Sequence, residues 1–341
     1  MMNRNSWYII AVLLASVLIL PTLGCSTTVA EKKMNKVNGW TTHCLGRYLV
    51  DLPPDAKIKG VYKVWNYDVR YLPGETPRTL QARIEKRVSE LKAQPRDAAL
   101  GSLFFDRMVH GDKGSTSIIS WRNSDSTTLL RRESYYVAAS PWRVFASTGE
   151  LTADRTAVAR QNSDEIAANI ISRDNNVIPT EPGFCIEGGM IAGKDYQDES
   201  FRIGIELPGH PNVQIFINAS TGAEQNKLLD RTGGFLLSLT RGLLPGLNVL
   251  RKRQRNVGPI EAQEFATAAS AKGQRVYAFA WESQGKDNSL AHQNIVVRLQ
   301  VLEQSVVSEK TPYQPAFKSD EEALQLWDNI IESVRLRPGA V

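Results

Sequence analysis

The sequence is short of the residues that usually carry chemistry. It holds only four histidines, His43, His110, His210 and His292, each in its own segment, and no pair of them stands at zinc-ligand spacing. His43 beside Cys44 is the nearest approach to a ligand pair, and it is isolated. There is no Gly-x-Ser-x-Gly elbow and no phosphate-binding Gly-x-x-x-x-Gly-Lys. Gly111-Asp112-Lys113-Gly114-Ser115 is short, polar and set between strand-like runs, so it reads as a hairpin loop. These absences leave no catalytic, cofactor or metal site to name. A strong charge of one sign is missing too: 41 Lys and Arg stand against 36 Asp and Glu. Aromatic residues make up 8% and do not alternate with basic ones, which argues against nucleic-acid binding.

Long apolar runs are likewise missing, except at the N-terminus. There Arg4 precedes Trp7-Tyr8-Ile9-Ile10-Ala11-Val12-Leu13-Leu14-Ala15-Ser16-Val17-Leu18-Ile19-Leu20, followed by the small-residue site Thr22-Leu23-Gly24-Cys25. A basic start, an apolar core and a small-residue cleavage site are the three parts of an export signal. A membrane span needs about 20 apolar residues, and Pro21 stops this run earlier. Residues 1–24 therefore read as a cleaved signal peptide, and the protein as periplasmic. Leu23-Gly24-Cys25 also matches part of a bacterial lipobox, although Thr22 stands where Leu is usual. Two readings of Cys25 stand: a lipidated first residue that tethers the protein to a membrane through the flexible, polar residues 25–38, or a free thiol beside an ordinary cut.

Three cysteines are present, Cys25, Cys44 and Cys185. If Cys25 is lipidated, an even pair remains in an oxidising compartment, so Cys44 and Cys185 form either a disulfide or two separate buried thiols.

One pattern is written twice. Cys44-Leu45-Gly46-Arg47-Tyr48-Leu49-Val50-Asp51-Leu52-Pro53 opens the first copy. Phe184-Cys185-Ile186-Glu187-Gly188-Gly189-Met190-Ile191-Ala192, then Phe201 to Pro208, open the second, and Asp51-Leu52-Pro53 and Glu206-Leu207-Pro208 read as equivalent stops. Strands are expected at 60–67 and 213–217, and helices near 79–94 (Leu80, Ile84, Val88, Leu91) and 224–243 (Leu228, Leu229, Leu236, Leu239), the latter weakened by Gly233-Gly234. Meander strands follow at 103–109, 116–123, 127–139 and 143–148, and at 249–257, 260–269, 274–282 and 295–302, with Trp121 and Trp281 on corresponding strands. Each copy closes with a helix, 154–172 and 320–334, the last with Ser319 and Glu322 as a capping box and a short strand at 335–338 behind it. The expected fold is α+β: two similar domains, 39–173 and 184–341, each an antiparallel sheet with packed helices, joined by the proline-broken linker 174–183.

Two charged segments remain. Asp195-Tyr196-Gln197-Asp198-Glu199 reads as a solvated acidic loop or a recognition loop, with Asp195, Asp198 and Glu199 as candidate partner contacts. A hydrolase would need two such carboxylates at a set separation. Arg251-Lys252-Arg253-Gln254-Arg255 reads as a solvated strand end or a docking patch, with Arg251 and Arg253 as candidates.

Cys44-x-Gly46-Arg47-Tyr48-x-x-Asp51-Leu52-Pro53 and Gly183-Phe184-Cys185 with the later Glu206-Leu207-Pro208 resemble the immunity proteins that neutralise type VI secretion lipase effectors, from about Gly39 to Pro338. The resemblance implies a two-domain periplasmic inhibitor, not an enzyme. Its partner would be a cognate phospholipase, whose active-site cleft it occludes and whose lid it keeps from opening. It carries over no contact residues, because the matched positions are structural. The alternative is an envelope structural or assembly lipoprotein that binds peptidoglycan or other envelope components.

Overall fold

Among the described residues every β-ladder is antiparallel, and twelve strands line up in one sheet. The computed structural model describes residues 37–97, 100–210, 212–232, 247–271 and 273–341. Cys25, the signal segment, all but the last two residues of the tether, and Gly233, Gly234, Leu236 and Leu239 lie outside the described residues.

The first half opens with a hairpin, β1 (Thr41–Leu45) and β2 (Tyr48–Leu52), and a second hairpin, β3 (Lys57–Val64) and β4 (Tyr67–Leu72). Helix α1 (Pro77–Ala93) follows, then the meander β5 (Phe104–His110), β6 (Ser115–Trp121), β7 (Leu129–Ala139) and β8 (Trp142–Thr152). Helix α2 (Thr156–Asn169) and a short β9 (Ile170–Ser172) close it. The second half repeats the order: hairpin β10 (Gly183–Ile186) and β11 (Gly189–Ala192), then β12 (Glu199–Glu206), β13 (Val213–Ser220) and a helical turn at 228–232. The meander β14 (Asn248–Gln254), β15 (Ala262–Ala271), β16 (Gln274–Ser283) and β17 (Asn294–Val301) leads to helix α3 (Asp320–Ser333) and β18 (Arg335–Leu336).

The large sheet runs β14-β15-β16-β17-β13-β12-β3-β4-β8-β7-β6-β5. Read from the middle outward, both halves have the same order. The seam is β3 against β12, from Lys57↔Glu206 to Val64↔Glu199. Gly60 faces Ile203 there, and a Cβ at Gly60 would stand 2.1 Å from the Ile203 side chain. A side chain at that position would require the end of the Ile203 side chain to move.

The closing strands cross over. β9, which ends the first half, pairs with β11 of the second, and β18, which ends the second, pairs with β2 of the first. Each half therefore completes the small three-stranded sheet of the other, and the chain from Lys36 onward forms one compact unit.

Local structure follows the sequence in most elements. Thr76 caps α1, Pro77 takes the first helical position, and Leu80, Ile84, Val88 and Leu91 are its buried face. In β6, Ile118 packs with α1 and the adjacent Ile119 packs near α2, so the sheet is covered on both faces. Ser319 caps α3 by accepting from Glu322 N–H, while the Glu322 carboxylate takes the N–H of Lys318 rather than that of Ser319. The buried face of α3 is Ala323, Leu326, Trp327, Ile330 and Ile331, and Leu324 is half-buried.

Three local expectations are corrected. The expected strand 60–67 turns at Trp65-Asn66, both in the left-handed region, and returns as β4. Asp51-Leu52-Pro53 ends a hairpin arm, whereas Glu206-Leu207-Pro208 ends a seam strand, so the two stops are not equivalent. Trp121 lies on β6 and Trp281 on β16, whose counterpart in the first half is β7.

Candidate protein-binding surface

The seam between the halves carries a hub of buried charge. Gly46 turns the β1–β2 hairpin with φ 58°, and a Cβ there would meet the Phe201 ring at 2.6 Å. The turn aims Arg47 inward, where its Nε and Nη2 donate to the Glu199 carboxylate at 2.7 and 2.6 Å. Its Nη1 donates to the carbonyls of Gly193 and Ala340. Burial pushes the Glu199 carboxyl above the usual carboxylate range, and the Arg47 guanidinium opposes that shift. Beside this pair, Cys44 and Cys185 form a disulfide with Cα atoms 5.9 Å apart, closing a separation of 141 residues. Gly46 and Cys185 exchange backbone hydrogen bonds at 3.0 and 2.8 Å. Arg337 donates to the carbonyls of Pro179, Glu181 and Gly183, and Arg173 to those of Val177 and Ile186. The linker is thus held from both ends by buried arginines.

The candidate contacts proposed from the sequence separate in space. Glu199 is fully buried and both its oxygens are taken by Arg47. Asp198 clamps the β3–β4 turn: its carbonyl accepts from Trp65 N–H and its carboxylate from Asn66 Nδ2, each at 2.8 Å. That clamp explains how a Trp is held at positive φ. Asp195 is exposed. The basic cluster is largely neutralised within the fold. Arg253 and Arg255 donate to Glu264 at 2.6 Å, as does Trp327 Nε1, while Arg251 reaches Glu264 and Asp328 and Arg255 also reaches Glu332. Burial raises the Glu264 carboxyl, but Arg255, Arg253 and Trp327 outweigh it and hold it below the usual range. Lys252 remains exposed.

A Ser-His-Asp arrangement also exists that the sequence did not reveal, because its members are spread over 54 residues. His110 Nε2 lies 2.8 Å from Ser117 Oγ, and its Nδ1 lies 2.6 Å from Asp164 Oδ1. Ser117 and His110 are 0% and 1% exposed, and Ser117 is also bonded to Ser134 at 2.6 Å, so no substrate reaches the hydroxyl. Burial holds the His110 pKa below its ordinary value despite Asp164. The arrangement ties α2 to the sheet. Among the described residues, no group of His, Cys, Asp and Glu could hold a metal ion.

What the surface does offer is a built apolar projection. The connection 302–319 between β17 and α3 exposes Leu302, Val306 and Val307 to 54%, 63% and 51%. It is ordered from within. Gln304 donates to the carbonyls of Val306, Thr311 and Pro312, Ser308 and Thr311 bond each other, and Gln274 accepts from the Gln304 N–H. Adjacent valines held in water by a polar scaffold are what a recognition knob needs, because little ordering remains to be done on binding. The sequence signal was the Val306-Val307 pair inside an otherwise polar stretch.

The comparisons with known proteins converge. Residues 41–139 match the N-terminal domain of Tle cognate immunity protein 4, and residues 177–339 match its C-terminal domain. A chain in the crystal structure of the Tle4–Tli4 complex is 39% identical, with a TM-score of 0.84, over 88% of this chain and 98% of that one. The apo structure of TplEi, an immunity protein of the type VI secretion system of Pseudomonas aeruginosa, is 39% identical with a TM-score of 0.82, over 89% and 99%. TplEi in complex with an "L" peptide is 38% identical with a TM-score of 0.78, over 88% and 99%. No curated protein sequence matches the chain.

Proposed function

Because this chain belongs to the Tle cognate immunity protein 4 family, we propose that it binds a cognate type VI secretion lipase effector and holds it inactive. The protein is an immunity protein and not an enzyme, as its relatives are. The observation that carries the reading is the likeness, over 88% of this chain, to a chain of the Tle4–Tli4 complex.

The proposed mechanism is occlusion. A lipase cleft is lined to receive acyl chains, and Val306-Val307 is an apolar projection of matching chemistry on an ordered base. Seated in the active-site cleft, it would displace lipid and hold the lid from opening. The frame behind it is stiff: a disulfide, a buried Arg47–Glu199 pair and two crossed strands fix how the halves face the toxin. Stiffness serves tight capture because less conformational freedom is lost on association.

The compartment of action follows from the sequence alone. Residues 1–24 read as an export signal, which supports action in the periplasm, with Cys25 as the residue that would carry a lipid anchor. A version lacking residues 1–24, kept in the cytoplasm, should leave cells unprotected.

The test mixes the mature protein with a purified type VI secretion lipase effector, taken from the neighbouring gene where one encodes it. A stable complex on size exclusion, with phospholipase activity lost in proportion to complex formed, is expected. No complex together with undiminished activity would overturn the reading.

A further inference from the structure

Gln293 is 2% exposed, yet both its side-chain amide nitrogen and its amide oxygen lack any hydrogen-bond partner in the protein. Buried polar groups are rarely left this way, and a glutamine with donor and acceptor both unmet is rarer still. It lines a cavity of about 450 Å³. Its lining includes Tyr48 of the opening hairpin, Leu336 of β18 and Ile260 of the β14–β15 turn. The β16–β17 connection contributes residues 284–286 and 291–293.

That connection is preorganised. Lys286 N–H donates to the His292 carbonyl at 2.7 Å, and His292 N–H donates to Ser289 Oγ at 3.1 Å. The backbone of Gln293 is fixed as well: its N–H lies 3.3 Å from Tyr48 Oη, and its carbonyl accepts from Ser283 Oγ at 3.0 Å. The main chain is therefore held while the side-chain amide, with under 1 Å² of each polar atom exposed, is left unengaged, so an occupant of the cavity would meet it once the side chain turns. The other glutamines around the cavity are engaged: Gln263 accepts from Leu229 N–H and Gln284 donates to the Glu224 carbonyl. Glu282, the buried carboxylate of the lining, is taken by Arg231.

We propose that this cavity is a second recognition site, in which Gln293 pairs with an amide group of the effector's polypeptide, either an Asn or Gln side chain or a main-chain peptide unit. The inference rests on the reading that this chain binds a lipase effector. An amide offers one carbonyl and one N–H side by side, the complement of what Gln293 presents, and it carries no charge to desolvate. Apolar walls at Ile260 and Leu336 suit the aliphatic stem of a side chain. A glycan acetamide would present the same amide. Sugar sites, however, use open aromatic faces, and Tyr48, the one Phe, Tyr or Trp of the lining, is buried with its hydroxyl already engaged.

The experiment compares the intact mature protein with its Gln293→Leu variant, reading thermal stability and affinity for the cognate lipase by calorimetry. The expected result is a melting temperature equal to or above that of the parent, because an unmet polar group is removed, with Kd weakened about tenfold or more. An unchanged Kd in the variant overturns the proposal while leaving the parent reading intact, whereas failure of the parent protein to bind lipase at all defeats both. If the variant loses stability, the side-chain NH2 resonances of Gln293 in the parent protein decide. A shift on adding lipase supports the pairing. Resonances that stay put, or that move with N-acetylated peptidoglycan fragments but not with lipase, overturn it.

Discussion

The two halves of the molecule share an element order and differ in their connections, and the difference locates function. Between the third and fourth meander strands, the first half spends only Ser140-Pro141, whereas the second spends residues 284–293. Between the last meander strand and the closing helix, the first half has a single helical turn, Ala153–Arg155, whereas the second has residues 302–319. Those two expansions carry Gln293 and Val306-Val307. The first half expands as well, at 122–128 between β6 and β7, but with polar, mostly exposed residues. A repeat keeps what both copies need for folding. Where one copy adds an ordered loop with an unmet amide or an exposed apolar pair, folding does not explain the addition.

The comparison predicts that changes to the shared frame cost stability, whereas changes to the expanded connections cost binding. The largest effect should come from the disulfide. Cys44→Ser with Cys185→Ser opens a separation of 141 residues, which chain entropy values at about 4–5 kcal/mol. Urea unfolding of oxidised parent and variant checks this, and a loss below about 1 kcal/mol would mean that the crossed strands hold the halves without it.

Next is the buried pair. Glu199→Ala leaves Arg47 charged and unpaired inside, at a cost of about 3–4 kcal/mol. Circular dichroism melts of the variant measure it, and a near-neutral result would show water reaching Arg47.

Acid should act through the second half. Arg275 holds Asp320 below its ordinary pKa. For Glu264 and Asp328, burial raises the carboxyl but the surrounding arginines prevail, and both end below the ordinary value. A depressed folded pKa means that the unfolded chain binds the proton first. The stabilisation is therefore complete above the ordinary carboxylate range and is lost as pH falls through the folded values, which lie below that range. Glu264→Gln should flatten the low-pH limb in chemical denaturation, and an unchanged limb would assign acid sensitivity elsewhere.

Much of the frame was legible because short-range patterns encode it. The alternation Phe201, Ile203, Ile205, Leu207 marks β12, and the three-and-four spacing of Leu80, Ile84, Val88 and Leu91 marks α1. The cysteine count left Cys44 and Cys185 as either a disulfide or two separate thiols, and the fold brings them together as a disulfide. What escaped depends on partners distant in sequence. Glu199 sits in an acidic run and reads as solvated, and only Arg47, 152 residues away, explains its burial. The crossing of β9 and β18 leaves no local trace either. The basic cluster at 251–255 reads as a patch until Glu264, Asp328 and Glu332 are brought beside it.

The most direct measurement replaces Val306 and Val307 together with Asp and records both stability and inhibition of the cognate lipase. Val158→Asp, at an equally exposed apolar residue of α2, serves as the control. The account predicts that each protein keeps its stability to within about 0.5 kcal/mol. Inhibition by the loop variant should weaken at least tenfold, and that by the control should be unchanged. Undiminished inhibition by the loop variant would contradict the claim that recognition lies where the second half departs from the first.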